Sequence, residues 1–302
     1  MKRVLISIVI AAFNEERKIV KCLDSLLNQK YKNIEIIVVD DGSTDRTVKT
    51  IGEYIKKYKN VFLLQQKRQG PGAAKNLAAK TAKGEILVFV DADEYPRKDY
   101  VEKLTKPIRE GKAKTAIGAW VVAKPENPWA RCRFKDTYEL RRHALESGVF
   151  RAVRKSSFKK FGGFDTTKGY SDDRIKTGLK RARIDSAVFD HDVDSDIGEI
   201  YRKRKWIGSS ILSNPKNIKF KIKILAGTIL VILLAIFLFI LPIVSLIILI
   251  ICLLPLIYKT LSKVFFYKDP RLLFYYPIYS VVCGLGMLKG LLVPEYKKEV
   301  LS

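Results

Sequence analysis

Cysteine is scarce in this chain of 302 residues: Cys22, Cys132, Cys252 and Cys283 share no paired spacing. That argues against a disulfide framework or a zinc site and suits a reducing, cytosolic setting. Acidic residues are also short, 31 Asp and Glu against 56 Lys and Arg, for a net charge of +25. Charge of either sign is missing from Ile224 to Tyr258. A mean hydropathy near zero beside 29% charged residues therefore reflects segregation along the chain. Intrinsic disorder, collagen-like repeats and a plain soluble enzyme are all disfavoured. Met1-Lys2-Arg3 leads into an apolar run broken at Asn14-Glu15-Glu16, too short and wrongly flanked to read as a secretory leader.

What is present is a mixed head and an apolar tail. From Ser213 onward there are 11 Lys and Arg against 3 Asp and Glu, a net of +8. A balance this basic calls for a polyanionic partner. With an apolar tail in the same chain, anionic membrane lipids account for it more simply than nucleic acid, which is not expected as a partner. Lys216, Lys219, Lys221 and Lys223 stand just before the apolar run, where each lysine contributes about 1 kcal/mol near an anionic leaflet.

The head alternates strand and helix patterns. Val4 to Ala12 reads as a buried strand, and Ile19, Cys22, Leu23, Leu26 and Leu27 share one helix face. A second strand, Ile34 to Val39, runs into DDGSTD, and Val48, Ile51 and Ile55 mark the next helix. Val61 to Leu64 is a third strand. Gly70-Pro71-Gly72 then opens a helix over Ala73 to Ala82, and Glu85 to Val90 is a fourth strand ending in Asp91-Ala92-Asp93. The expected fold class is α/β, a parallel sheet with helices on both faces, followed by a transmembrane helical region. Ligands of such sheets bind at the carboxyl ends of the strands. Asp40-Asp41 and Asp91-Asp93 stand at two of those ends. Carboxylates converging on one crevice repel unless a cation sits between them, and oxygen donors suit Mg²⁺ or Mn²⁺ shared with substrate phosphates. One acidic pair alone would read as a solvated turn.

Five stretches in order resemble the family 2 inverting glycosyltransferases of GT-A fold, across roughly Leu5 to Trp206. They are the opening strand with Asn14-Glu15-Glu16, VVDDGSTDRT at Val38 to Thr47, GPGAAKN at Gly70 to Asn76, GEILVFVDADE at Gly84 to Glu94, and FGGFD at Phe161 to Asp165 before Asp172-Asp173. Lys75 stands where many relatives have Arg, and Asp172 where the family often has Glu.

The resemblance implies a reaction, namely transfer of a sugar from a nucleoside diphosphate to an acceptor with inversion. It implies a nucleotide-sugar pocket at Ala11, Phe13, Asn14, Glu15, Asp40, Asp41, Gly72, Lys75, Asn76, Asp91 and Ala92. It implies a divalent cation, Mg²⁺ or Mn²⁺, on Asp91 and Asp93, with Asp93 the direct ligand. His191, after an apparent strand at Ser186 to Phe189, matches a metal- or diphosphate-binding histidine. Asp173 matches the general base beside Asp172, a pair that otherwise reads as a helix start capped by Ser171. Arg202, Lys205 and Trp206 in YRKRKW resemble a diphosphate- and sugar-binding motif, and read equally well as a basic juxtamembrane helix. His143, in the helical stretch Tyr138 to Glu146, reads as structural.

The uncharged run is 35 residues, about 52 Å as one helix, against a hydrocarbon core of about 30 Å. With Pro242 near its middle it reads as a hairpin over about 222–258, with both basic flanks on the cytoplasmic side. Leu272 to Val293 is a third apolar segment that either spans or lies along the interface. The expected division is a cytoplasmic head at 1–212 and a membrane domain at 213–302. The sequence thus reads as a metal-dependent glycosyltransferase at the cell membrane, multi-pass, with its head cytoplasmic. Its partners would be a nucleoside-diphosphate sugar and a lipid-linked or glycan acceptor. The other classes open to it are a sugar-nucleotide nucleotidylyltransferase, which would place a glycine-rich basic loop after the first strand where FNEER stands, and a non-catalytic membrane scaffold.

Overall fold

The computed structural model describes residues 4–122, 128–129, 132, 150–166, 178–192, 196–213, 226–227, 229–230, 233, 242–267 and 270–292. Asp172, Asp173, Ser171, His143 and Lys216 to Lys223 lie outside the described residues, as does most of 224–241. The chain divides into two compact units. The first is Met1–Lys124, Glu139–Val193 and Glu299–Ser302; the second is Pro125–Tyr138 and Asp194–Lys298.

In the first unit, β1 (Ile6–Ala12), β2 (Ile34–Asp40) and β4 (Ile86–Asp91) are short apolar runs buried along nearly their whole length. Such runs, rich in Ile and Val, are what a parallel sheet covered on both faces requires. Each fully buried Ile or Val side chain contributes about 1.5–3 kcal/mol. With β3 (Val61–Gln65), β5 (Glu94–Pro96), β6 (Thr115–Val122), β7 (Ala152–Arg154) and β8 (Arg181–His191), the described strands form one sheet in the order β3-β2-β1-β4-β7-β6-β8-β5. The first four are mutually parallel, whereas β7 joins β4 antiparallel.

Alternate residues of β1 face opposite layers. Ile6, Ile8 and Ile10 pack with α1 (Ile19–Leu27), with Ile51 of α2 (Thr47–Lys57) and with α4 (Tyr100–Arg109). Val9 packs with Ala74 and Ala78 of α3 (Pro71–Thr81) and Phe158 of α5 (Lys155–Lys160). Helices therefore cover both faces, as the strand patterns require. At the amino ends of the strands, Glu35 accepts from Ser7 Oγ (2.6 Å), Lys83 N (2.6 Å) and Gly84 N (3.1 Å). A Cβ on Gly84 would lie 2.6 Å from Ser7 N and 2.8 Å from Leu5 O, so only glycine fits there.

The second unit holds α6 (Ile197–Ser213), α7 (Pro242–Tyr267) and α8 (Leu272–Leu292). The helix that begins at Pro242 continues past Tyr258, through Lys259 and Lys263. Lys263 is buried, donates to the Cys132 carbonyl and lies 5.3 Å from the Tyr276 ring centre, so its charge does not end the helix. Arg202, Lys205 and Trp206 sit on α6 and so group with the C-terminal helices. Among the described residues, Leu272–Lys289 is the one helical stretch long and apolar enough to cross a membrane.

Candidate active site

Strand order makes the site. β2 and β3 lie on one side of β1 and β4 on the other, so a crevice opens at the carboxyl ends of β1 and β4. Register places Ala12 opposite Asp40 and Ala11 opposite Asp91. Three strand ends thus bring Ala11, Asp40 and Asp91 side by side.

The loops after β1 and β2 are laced together. Asn14 takes a left-handed backbone (φ 55°), a conformation Asn tolerates better than most residues. Its amide N–H donates to Ser43 Oγ (2.9 Å) and its Oδ1 accepts from Thr44 N (2.8 Å). Glu15 N donates to Thr47 Oγ1 (2.8 Å), and Arg46 N donates to Glu16 (3.0 Å). Phe13 carries the Arg68 guanidinium over its ring at 3.7 Å, a cation–π contact.

The two aspartates of DDGSTD differ. Asp41 is buried and accepts from Gln66 Nε2 (2.7 Å), Gln69 N (2.8 Å) and Gly70 N (2.8 Å). It thereby anchors the loop that enters α3. Asp40 is also buried, yet among the described residues it accepts only from Ser43 N, at 3.2 and 3.4 Å. A carboxylate has about four acceptor positions, so Asp40 retains capacity for a hydroxyl or an amine.

Within α3, Gly72 and Lys75 are buried. Asn76 is committed to its own chain. Its Nδ2 donates to Phe164 O (2.9 Å) and its Oδ1 accepts from Phe164 N (2.8 Å). Gly163 has φ 81°, and a Cβ there would come within 2.6 Å of Asn76 Oδ1. The glycines of FGGFD thus let this turn dock on α3, with Phe164 held among Phe89, Phe150 and Phe158.

Asp91 is gripped from two sides, by Lys75 Nζ at 2.9 Å and Arg151 Nη1 at 3.2 Å. Burial alone would raise its carboxyl; the two cations outweigh burial and hold it well below the usual carboxylate range. Arg151 also donates to Glu94 Oε1 (2.6 Å), and Glu94 Oε2 accepts from Asp91 N (3.0 Å). Burial pushes Glu94 up to about 8; Arg151 opposes this, while Asp91 and Asp93 add to it.

Ala92 and Asp93 are buried in the same turn. β5 pairs with β8 so that Glu94 faces His191, and His191 Nδ1 comes within 3.9 Å of Asp93 Oδ1. One carboxylate oxygen and one imidazole nitrogen form a donor pair suited to a divalent cation whose other ligands are water and phosphate. Among the described residues no three His, Cys, Asp or Glu side chains converge as a metal site.

The structure therefore brings together Ala11, Asp40, Asp91, Ala92, Asp93, Lys75 and His191, and commits Asp41 and Asn76 to loop anchoring. Sequence reasoning does not reach Arg151. It is one of 56 basic residues, lies in no motif, and meets Asp91 only through the pairing of β7 with β4.

The glycosyl transferase family 2 profile matches residues 7–162. A segment of 94 residues is 49% identical to the poly(ribitol-phosphate) beta-glucosyltransferase of Bacillus spizizenii, covering 30% of this chain and 15% of that protein. The matched segments span 16%, 38% and 15% of the length of three curated relatives. Among solved structures, the mannosyltransferase PcManGT of Pyrobaculum calidifontis, in complex with GDP-Man and Mn²⁺, has a similar fold. Its TM-score is 0.56 at 17% identity, covering 95% of this chain and 88% of that one. S. aureus TarS 1-349 with UDP gives a TM-score of 0.50 at 22% identity, covering 70% and 66%. With the profile spanning just over half of its residues, around the crevice described above, this chain belongs to glycosyl transferase family 2.

Proposed function

We propose that this chain moves a sugar, with inversion, from a nucleoside-diphosphate donor to a lipid-linked or glycan acceptor, at a divalent-cation site in a head held at the cytoplasmic membrane face. The observation that carries this reading is the approach of Asp93 and His191 at the mouth of the β1/β4 crevice, beside Asp91, Lys75 and Arg151. The complex of PcManGT with GDP-Man and Mn²⁺ supports a sugar nucleotide and a metal as ligands of this fold.

Asp40, with spare acceptor capacity, would receive the base or ribose. Lys75 and Arg151 are both paired with Asp91, and Arg151 also with Glu94, so these two cations alone offer a departing diphosphate little net positive charge. Asp93 and His191 would hold a Mg²⁺ or Mn²⁺, which would supply that charge. Asn76 and Gly163 would set the start of the segment leading to Asp172 and Asp173. Asp173 would take the acceptor proton, with Asp172 beside it.

For the membrane part, the apolar run from about residue 222 into α7 would anchor the head as a hairpin, with its flanking lysines against anionic lipids. Exposed side chains on α7 and α8, among them Ile251, Leu254, Phe265 and Phe274, support an apolar surround. The test is release of nucleoside diphosphate by the full-length chain across a panel of sugar nucleotides, with Mn²⁺ and with excess chelator. Turnover of at least one donor, lost in chelator, is expected. No turnover of any donor, or turnover indifferent to chelator, refutes the reading.

A further inference from the structure

We propose that α8 lies in the plane of the membrane interface and does not cross the bilayer, with α6 on its headgroup side. This deepens the membrane part of the reading above and rests on it. By length and composition alone α8 qualifies as a span. Its partner helix argues otherwise.

α8 is two-faced. Leu272, Tyr276, Tyr279 and Gly286 are buried on one side. On the opposite side, Phe274, Val281 and Leu285 are 67%, 55% and 56% exposed. At 100° per residue these three fall within one narrow arc. The buried side is held partly by α6: Arg204 Nη2 donates to Tyr279 Oη at 3.3 Å. A Cβ on Gly286 would lie 2.8 Å from Tyr201 O and 3.1 Å from Arg204 Cβ. The two backbones therefore touch at the turn of α6 that carries Arg202, Lys203, Arg204 and Lys205.

Tyr279 and Gly286 bracket the middle of α8. Were α8 to span, this turn of α6 would sit near the bilayer centre. Four consecutive residues sweep about 300° of a helix surface, so with Arg204 turned onto Tyr279 the neighbouring Arg202 points away from α8 and is exposed. Charged side chains at that depth are strongly disfavoured. Laid flat, the same pair is consistent. The arc of Phe274, Val281 and Leu285 enters the acyl boundary, while the exposed Arg202 of α6 and the exposed Lys289 at the end of α8 meet phosphates. The net charge of +25 matches an anionic leaflet as the occupant of this face.

The experiment uses the full-length chain in vesicles of phosphatidylcholine with phosphatidylglycerol. Cys252→Ala and Cys283→Ala form the background, leaving the buried Cys22 and Cys132. Nitroxide labels are placed singly at Phe274→Cys, Val281→Cys and Leu285→Cys, all exposed positions, and depth is read from collisions with oxygen and a water-soluble nickel chelate. The expected result is one shared depth, about 5–10 Å below the phosphates. A profile with Val281 deepest, about 15 Å down at mid-bilayer, and the flanking labels shallower overturns the proposal while leaving the anchor intact. Water-exposed labels at all three positions overturn this proposal and the membrane part of the functional reading together. Labels shielded from both reagents indicate a second copy on this face, and also overturn it.

Discussion

Replacing Asp41 by alanine should cost about 3–4 kcal/mol of folding stability, because its carboxylate holds a loop and is not an idle ligand group. The figure comes from its three donors. A hydrogen bond to a charged group is worth about 1.5–3 kcal/mol, and the buried Gly70 N–H has no access to water, so it accounts for about 2 kcal/mol. Gln69 N–H and the Gln66 amide can turn to solvent and account for roughly 0.5–1 kcal/mol each. Against a typical total of about 5–15 kcal/mol, the variant folds with a narrow margin. Asp41→Asn keeps the shape but aims an amide N–H₂ at one of three donors, so it should lose about 2 kcal/mol. Asp40→Ala gives up only the two long contacts from Ser43 N and should lose about 1 kcal/mol or less. Urea unfolding of the detergent-solubilised full-length chain, followed by circular dichroism, ranks the three. Asp41→Ala within about 1 kcal/mol of the parent, or Asp40→Ala the more damaging, would refute the reasoning.

Gly84→Ala pushes a Cβ to within 2.6 Å of Ser7 N and 2.8 Å of Leu5 O, and should cost about 1–3 kcal/mol by overpacking, read from the shift in thermal midpoint. Glu94, raised to about 8, holds its proton in the folded chain at pH values where the unfolded chain has released it. Stability in chelating buffer should therefore fall as pH rises from about 5 to about 8, and Glu94→Gln should flatten that slope. Asp91 is held low and loses its contribution only below about pH 4, outside that window. Equal slopes in parent and variant would count against the burial argument. Asp173→Asn should slow transfer to a hydroxyl acceptor by on the order of 10² to 10⁴ with donor affinity little changed; equal, small losses at Asp172 and Asp173 would leave the pair as a helix start.

The first ninety residues were readable because β1, β2 and β4 are short, mostly apolar runs closed by polar turns, a pattern local in sequence. Their carboxyl ends follow from that pattern; the clustering of Asp40 and Asp91 also needs β1 to lie between β2 and β4. The Asp93–His191 approach depends on β5 pairing with β8 across almost a hundred residues, which resemblance suggested and periodicity does not encode. Arg151 was invisible for the same reason, with no local pattern to separate it from other basic residues. Asp41 and Asn76 show what a motif does not state. Both sit in motifs that point to ligand binding, and in the structure their side chains also hold together the loops they organise. Only the tertiary positions of Gly70 and Phe164 reveal that. In the tail, the first charge after the apolar run suggested a helix end at Tyr258. The helix continues to Tyr267 because Lys263 finds the Cys132 carbonyl and the Tyr276 ring.

Calorimetric titration of sugar nucleotide into the full-length chain, across a series of Mn²⁺ concentrations, tests the central claim most directly. The parent should bind a donor with an affinity that rises with Mn²⁺, while Asp93→Ala should bind weakly and without metal dependence. The same metal dependence in Asp93→Ala, or parent binding that ignores Mn²⁺, would contradict a cation held at the β1/β4 crevice by Asp93 and His191.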